Sequence, residues 1–498
     1  MTIRTSGILL HPTCLPSQFG IGDLGPSAYR FADLLVKTGQ QYWQILPASP
    51  TDPEHGHSPY HSTSSFAGDP LWISPELLAE QGWVTVSDLA EVPDFPEERV
   101  DFPRVRAFKK VLLEKAFSRF EKGKERDQVA HFLEDTTWLS DFALFQVLTG
   151  QYVGPWSDWP QPIRDRNPEA LKEASQHFSI FIWREVFFQY LFYKQWWALK
   201  DYCNKKGVQF IGDMPMYLPF HSTELWSNPN IYKLDQEKKP YAVSGVPPDY
   251  FSASGQLWGH PVYNWGALSQ TNFEWWVQRI HHNLQLFDRV RIDHFRGLIA
   301  YWEVKADSAT AINGKWVPAP GGRLLDTLYR RVECLPIIAE DLGTITADVR
   351  ETMTRFDLPG MRVLLFAFGD DFPHSSFLPH NHIRNCVVYT GTHDNNTATG
   401  WFMEEAGEHE RKNLFGYLGH EAKPEEIHWE LTRLAMGSVA DTAIIPLQDL
   451  LGLDQSARMN RPAHGNGNWQ WRAPQDLLPE EAASRFLEMT RNYGRSPY

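Results

Sequence analysis

Arg289-Val290-Arg291-Ile292-Asp293, Pro336-Ile337-Ile338-Ala339-Glu340 and Cys386-Val387-Val388-Tyr389-Thr390-Gly391-Thr392-His393-Asp394 share one pattern: an apolar run that ends in a carboxylate. Each reads as a buried strand that ends in a carboxylate. Helix-like stretches lie between them. Residues 272–287, 323–333 and 347–356 carry apolar side chains at helical spacing, and Thr271 or Asn272, followed by acidic Glu274, is a cap candidate for the first. Strand and helix in alternation predict a parallel sheet with helices packed outside it.

Working outward, further strand-like runs fall at 41–47, 208–218, 361–368 and 438–445, which makes seven, and 70–74 is the candidate for an eighth. The expected fold class is therefore α/β, a (β/α)8 barrel. Such a barrel carries its active site at the C-terminal ends of its strands, where the three acids stand. Two intervals are too long to be simple connections. Residues 70–205 read as a largely helical insertion, with helices expected at 107–120, 139–148 and 180–205. Residues 219–285 read as a loop-rich insertion that covers the cleft. The residues after the last strand are too few for a C-terminal β-sandwich of about 100 residues. The whole chain, 1–498, is expected to be one catalytic barrel.

The formal charge is −14, which speaks against a phosphate-backbone partner and suits a neutral substrate. The aromatic share is 14%, enough to supply a large core and still leave flat rings for a groove. The four cysteines are scattered without a CxxC pair, so neither a zinc knuckle nor a disulfide framework is expected, and a reducing compartment is. The opening residues lack a long apolar segment, and no apolar run approaches the ~20 residues needed to cross a bilayer. A cytoplasmic protein without nucleic-acid or membrane partners is the expectation.

Each acid has two readings. Arg291 and Asp293 lie two apart, so on a strand they share a face. They form either a structural ion pair or a carboxylate kept ionised for attack. Glu340 is either a proton donor raised by burial or a carboxylate at the start of the Thr344 turn, and Asp341 beside it could raise it further. His393-Asp394-Asn395-Asn396-Thr397 offers an imidazole, a carboxylate and two amides, suited to several hydroxyls or to an ordinary Asx turn. His55, His57 and His61 share a Gly/Pro/Ser loop without helical or strand spacing, so no metal site is expected there. His464-Gly465-Asn466-Gly467-Asn468 lacks the Lys-Ser/Thr ending of a phosphate cradle, and no Gly-x-Ser-x-Gly elbow is present.

An ordered set of segments resembles the 4-α-glucanotransferases called amylomaltases or disproportionating enzymes, glycoside hydrolase family seventy-seven. It begins with Ser6-Gly7-Ile8-Leu9-Leu10-His11-Pro12-Thr13 and Phe19-Gly20-Ile21-Gly22-Asp23-Leu24-Gly25. It continues through Trp43-Gln44-Ile45-Leu46-Pro47, Ser58-Pro59-Tyr60, Ala67-Gly68-Asp69-Pro70 and Ile211-Gly212-Asp213-Met214-Pro215. Later come Arg291-Ile292-Asp293-His294-Phe295-Arg296-Gly297, Ala339-Glu340-Asp341-Leu342-Gly343, Gly391-Thr392-His393-Asp394-Asn395, Ala457-Arg458-Met459-Asn460 and Gly467-Asn468-Trp469. The set spans nearly the whole chain.

The resemblance implies transfer of α-1,4-glucan segments from a donor glucan to an acceptor glucan or glucose by a retaining double displacement. It implies Asp293 as nucleophile, Glu340 as acid then base, and Asp394 as the holder of the hydroxyls beside the broken bond. Asp213, Arg291 and His393 would surround the same glucose, and Tyr60 would stack beneath it. Asp249, Tyr250 and Phe251, with Trp258 beyond, would cover the acceptor side, and Phe366 would border the groove. It implies no metal or organic cofactor. The amylase-type α-glucan hydrolases share the three-acid layout and are the alternative. Asn396 stands where the family often has an acid, Leu365 where glutamine is frequent, and Glu54-His55-Gly56-His57 departs from the pattern.

Overall fold

The computed structural model describes residues 4–121, 123, 125–248, 254–332 and 334–497. Its strands in chain order are β1 (Thr5–Leu9), β2 (Tyr42–Gln44), β3 (Gln209–Met214), β4 (Ala242–Val246), β5 (Gln256–Pro261) and β6 (Arg289–Ile292), then β7 (Ala300–Lys305), β8 (Lys315–Pro318), β9 (Ile337–Ala339), β10 (Gly360–Val363), β11 (Cys386–Tyr389) and β12 (Thr442–Pro446). Eight of them form one parallel sheet in the order β10-β11-β12-β1-β2-β3-β6-β9. The two ends of that sheet meet where the Ala339 amide donates to the Pro359 carbonyl, 2.9 Å away at the start of β10. The sheet is thus the (β/α)8 barrel expected. The apolar runs do what their composition requires: Val290, Ile292, Ile337, Ile338, Val387 and Val388 are all buried.

The eighth strand is β1, which corrects the placement at 70–74. Pro70 has no amide hydrogen to give a ladder and instead opens a short 3-10 turn, Pro70–Trp72, which the Asp69 carboxylate caps at the Leu71 amide (2.9 Å). Thr5–Leu9 escapes a pattern search because Gly7 sits at its centre. A Cβ on Gly7 would lie 2.4 Å from the Tyr42 carbonyl oxygen of β2, so the close approach of β1 and β2 admits only glycine.

Residues between β2 and β3 are mainly helical, led by Phe102–Phe120, Leu139–Gln151 and the long Ser179–Lys205. Buried Lys109 ties the first of these to the barrel side, donating to the Leu71 and Ile73 carbonyls at 2.6 and 3.0 Å and facing Asp23 at 3.3 Å. The stretch after β3 contains more regular structure than its Pro- and Asn-rich composition suggests. β4 and β5 pair there and join β7 and β8 in a four-stranded antiparallel sheet, order β5-β4-β7-β8. β5 alternates in burial as a one-sided strand should. The helix Glu274–Leu286 is entered through left-handed Asn272 and Phe273 rather than through a side-chain cap. Among the described residues no helix is long and apolar enough to cross a membrane, and the cysteines are free.

Candidate active site

Strand register brings the acids together. On β6 and β9, Ile292 pairs with Ala339, so the next residues, Asp293 and Glu340, leave adjacent strands at the same level. On β3 and β6, Asp213 pairs with Arg291, so a carboxylate and a guanidinium are lateral neighbours. Asp394 follows β11 by a short loop and joins them. All three acids line one cleft of about 1010 Å³ at the C-terminal mouth of the barrel.

Arg291 organises the floor. Its Nη1 donates to both Asp213 oxygens at 2.8 and 2.7 Å, and its Nη2 donates to Asp293 Oδ1 at 2.9 Å. Burial works against the Arg291 charge, but Asp213 and Asp293 outweigh it and hold the guanidinium protonated. Tyr60 donates its hydroxyl to Asp213 Oδ2 at 2.7 Å. The expectation that Asp213 surrounds the sugar is corrected here: its side chain is 0% exposed and fully occupied by Arg291 and Tyr60. It braces the floor from behind. Asp293, by contrast, keeps 31% of its side chain open to the cleft.

Glu340 is held by backbone. Its Oε2 accepts from the His294 amide at 2.8 Å and its Oε1 from the Leu342 amide at 2.7 Å. His294 presents that amide because it sits in the left-handed region (φ 48°), a conformation unfavourable for a side-chain-bearing residue and sustained by the surrounding packing. Burial pushes Glu340 up to about 7, helped by the Asp293 charge, while Arg291 and the two amides pull it down. Burial raises Asp293 as well, so the expectation that Arg291 depresses it holds only as one opposing contribution. Of the pair, Glu340 is the better proton holder, because Asp293 is the partner bonded to Arg291. Asp341 does not contribute from the same side. It turns to β10, where it accepts from the Met361 amide at 2.6 Å and from Arg362 at 3.0 Å.

Asp394 is 47% exposed and held by two residues that sequence reasoning quoted without giving them a role. Asn460 donates to Asp394 Oδ1 at 2.7 Å, and Arg458 donates to the Asp394 carbonyl at 2.8 Å. Their signal was present in the Ala457-Arg458-Met459-Asn460 segment, but no spacing links it to Asp394. The Asx-type turn exists too: Asn395 Oδ1 accepts from the Thr392 amide and hydroxyl, both at 2.9 Å, which aims Asp394 and His393.

Aromatic walls complete the cleft. The Tyr60 and His393 rings stack at 5.1 Å and 18°, with Trp469 against both. Trp258, on β5, meets His294 edge-on at 4.6 Å, and Phe366 lines the groove beside Phe377. His294 was also missed as a cleft residue. Burial holds its imidazole down to about 3, so it is neutral, and its Nε2 has no protein partner. Asn396 points away from the acids, to Glu405 at 3.1 Å. Asp249, Tyr250 and Phe251 lie outside the described residues.

Carboxylates level on adjacent barrel strands, within a long aromatic-walled groove, are the equipment of enzymes that act on glycosidic bonds. Residues 10–477 match the 4-alpha-glucanotransferase model of glycoside hydrolase family 77. Curated 4-alpha-glucanotransferases of Aquifex aeolicus and Thermus thermophilus are 46% and 45% identical, with 96% of this chain and 97% of each relative covered. The amylomaltase of Streptococcus agalactiae, solved in complex with acarbose, matches with a TM-score of 0.95 at 39% identity, covering 99% of this chain and 100% of that one. The chain belongs to the 4-alpha-glucanotransferase family.

Proposed function

We propose that this chain transfers α-1,4-glucan segments between glucans, or to glucose, by a retaining double displacement on Asp293, Glu340 and Asp394. The observation that carries the reading is the pairing of Asp293 with Glu340. They leave adjacent strands level with each other, and one is bonded to a cation while burial pushes the other up to about 7. A retaining mechanism needs the two carboxyls about 5–5.5 Å apart, against about 6.5–9.5 Å for an inverting one.

In the first step Glu340 gives its proton to the glycosidic oxygen while Asp293 Oδ2, the oxygen not bonded to Arg291, attacks C1. The C1–O bond breaks, the acceptor-side glucan leaves with the proton, and a glucosyl ester forms on Asp293. In the second step the Glu340 carboxylate takes the proton of an incoming sugar hydroxyl, whose oxygen displaces Asp293 from C1. Two inversions restore the configuration. Asp394, oriented by Asn460, accepts hydrogen bonds from ring hydroxyls. Tyr60 and His393 form the flat floor, with Arg291 beneath. Trp258 and Phe366 form the acceptor side. Aromatic surfaces there position a sugar hydroxyl and exclude water, which separates transfer from hydrolysis. The acarbose complex of the related amylomaltase supports a glucan-like occupant. A cytoplasmic location belongs to the same reading, supported by the free cysteines.

Maltotriose tests it. Incubation with the purified chain is expected to give a ladder of longer maltooligosaccharides together with glucose. Short products alone, with reducing ends rising steadily, would establish the amylase-type hydrolase instead.

A further inference from the structure

The loop of residues 51–62 is pinched shut by an antiparallel bridge between Thr51 and Ser62. Inside it, three side chains separated in sequence come close together. Ligand atoms of Asp52, His55 and His61 all lie within 4.8 Å of one another. The local sequence explains the convergence. Asp52 caps the turn Pro53–His55 through Oδ1, which accepts the Glu54 amide at 2.9 Å, and this leaves Oδ2 facing His55 Nδ1 at 2.8 Å. Gly56, at φ 65°, then reverses the chain and brings His61 back, so that its ring stacks on His55 at 3.4 Å and 15°.

His57 does not join. Its ring stacks on Phe102 at 4.1 Å and faces Arg106. By contrast, among the described residues no hydrogen bond engages the ring of His61 or of His260, a further imidazole on β5 whose ring centroid lies 5.1 Å from that of His61. His260, Ser58 and Tyr60 line the glucan cleft, so the cluster stands directly beside it.

We propose that Asp52, His55 and His61 bind one divalent transition-metal ion of the zinc class at the edge of this cleft. Two imidazoles and one carboxylate suit Zn²⁺ and its neighbours, and they disfavour the hard ions Ca²⁺ and Mg²⁺, which take oxygen ligands. Tetrahedral zinc with bonds of about 2.0–2.1 Å sets its ligand atoms about 3.3 Å apart. Because an imidazole binds a metal in its ring plane, joint coordination requires the His55 ring to turn out of its stack on His61, a rotation open to a side chain that is 49% exposed at the tip of the loop. The bridge at Thr51 and Ser62 already holds the loop ends together, so the ordering cost of assembling the ligands is low. Three protein ligands leave a position for water, which marks an exchangeable site. The site belongs to the fold and stands independently of the reading of the three acids.

Titration of the chelator-treated full-length chain with ZnCl₂ by calorimetry tests this, with CoCl₂ absorption in the visible as a second readout. One ion per chain is expected to bind, with a dissociation constant in the micromolar range, and CaCl₂ is expected to give no heat. His55→Ala is expected to weaken zinc binding at least tenfold, and His55→Ala with His61→Ala to abolish it. His55→Ala is expected to turn over maltotriose at the unaltered rate without metal, which shows that it folds. Cys334→Ser is expected to bind zinc as the parent does, which separates this cluster from the exposed thiol. A parent chain that binds no zinc, or a His55→Ala chain that binds it with unchanged affinity, would overturn the assignment.

Discussion

Replacing Glu340 by Gln tests the energetic core of the site. A carboxyl with its midpoint at about 7 instead of the ordinary 4.5 binds its proton more tightly in the folded chain than in the unfolded one. Between those values the native state carries more protons, so stability falls as pH rises through the window, opposite to the usual salt-bridged carboxylate. The displacement corresponds to about 3 kcal/mol in favour of a neutral residue above pH 7. Gln is neutral throughout but has one acceptor oxygen where Glu340 uses two, so it leaves either the His294 or the Leu342 amide unpaired at every pH. That constant loss cancels when the same pair of proteins is compared at two pH values. For 498 residues the unfolding entropy is about 1 kcal/mol/K, so the difference in Tm between Glu340→Gln and the parent should move by about 3 °C in favour of the variant from pH 4.5 to pH 8. Differential scanning calorimetry at one scan rate measures it. A Tm difference that stays constant across that range would mean that Glu340 titrates like an exposed acid and cannot hold a proton for the leaving oxygen.

Three further outcomes follow from the geometry. Asp293→Asn should lower maltotriose turnover by roughly 10⁴-fold while maltooligosaccharide binding persists, because only the attacking oxygen is lost; initial rates and calorimetric binding check both halves. Asn460→Ala should lower kcat by roughly tenfold to a hundredfold with a smaller change in KM, since it frees Asp394 Oδ1 without removing the carboxylate, and Asn460→Asp should not restore it, since a second carboxylate would repel the first. Gly7→Ala should destabilise the barrel by about 1–3 kcal/mol or more, visible as a lowered Tm or insoluble expression, because the new Cβ meets backbone rather than a movable side chain.

Much of this was legible in the chain itself. A strand covered on both faces must be apolar throughout, so β9 and β11 announce themselves, and an acid at the end of such a run stands out as a departure from that rule. The ordered motifs then named the family. β1 was hidden because its centre is a glycine selected by a neighbouring strand's backbone, an interaction absent from local composition. The family resemblance implied Asp213 as a sugar contact; only the packed structure shows its side chain buried behind Arg291.

Residue types and their order along the polypeptide therefore determined the barrel, the identity of the acids and the family. The tertiary structure decided how those acids behave. Register levelled Asp293 with Glu340, burial moved the Glu340 proton to about 7, and a distant segment supplied Asn460 to Asp394. A closed loop likewise turned three unspaced residues, Asp52, His55 and His61, into one cluster. Desolvation and the distances between charges are properties of three-dimensional packing, and neither is written in the spacing of residues along a chain.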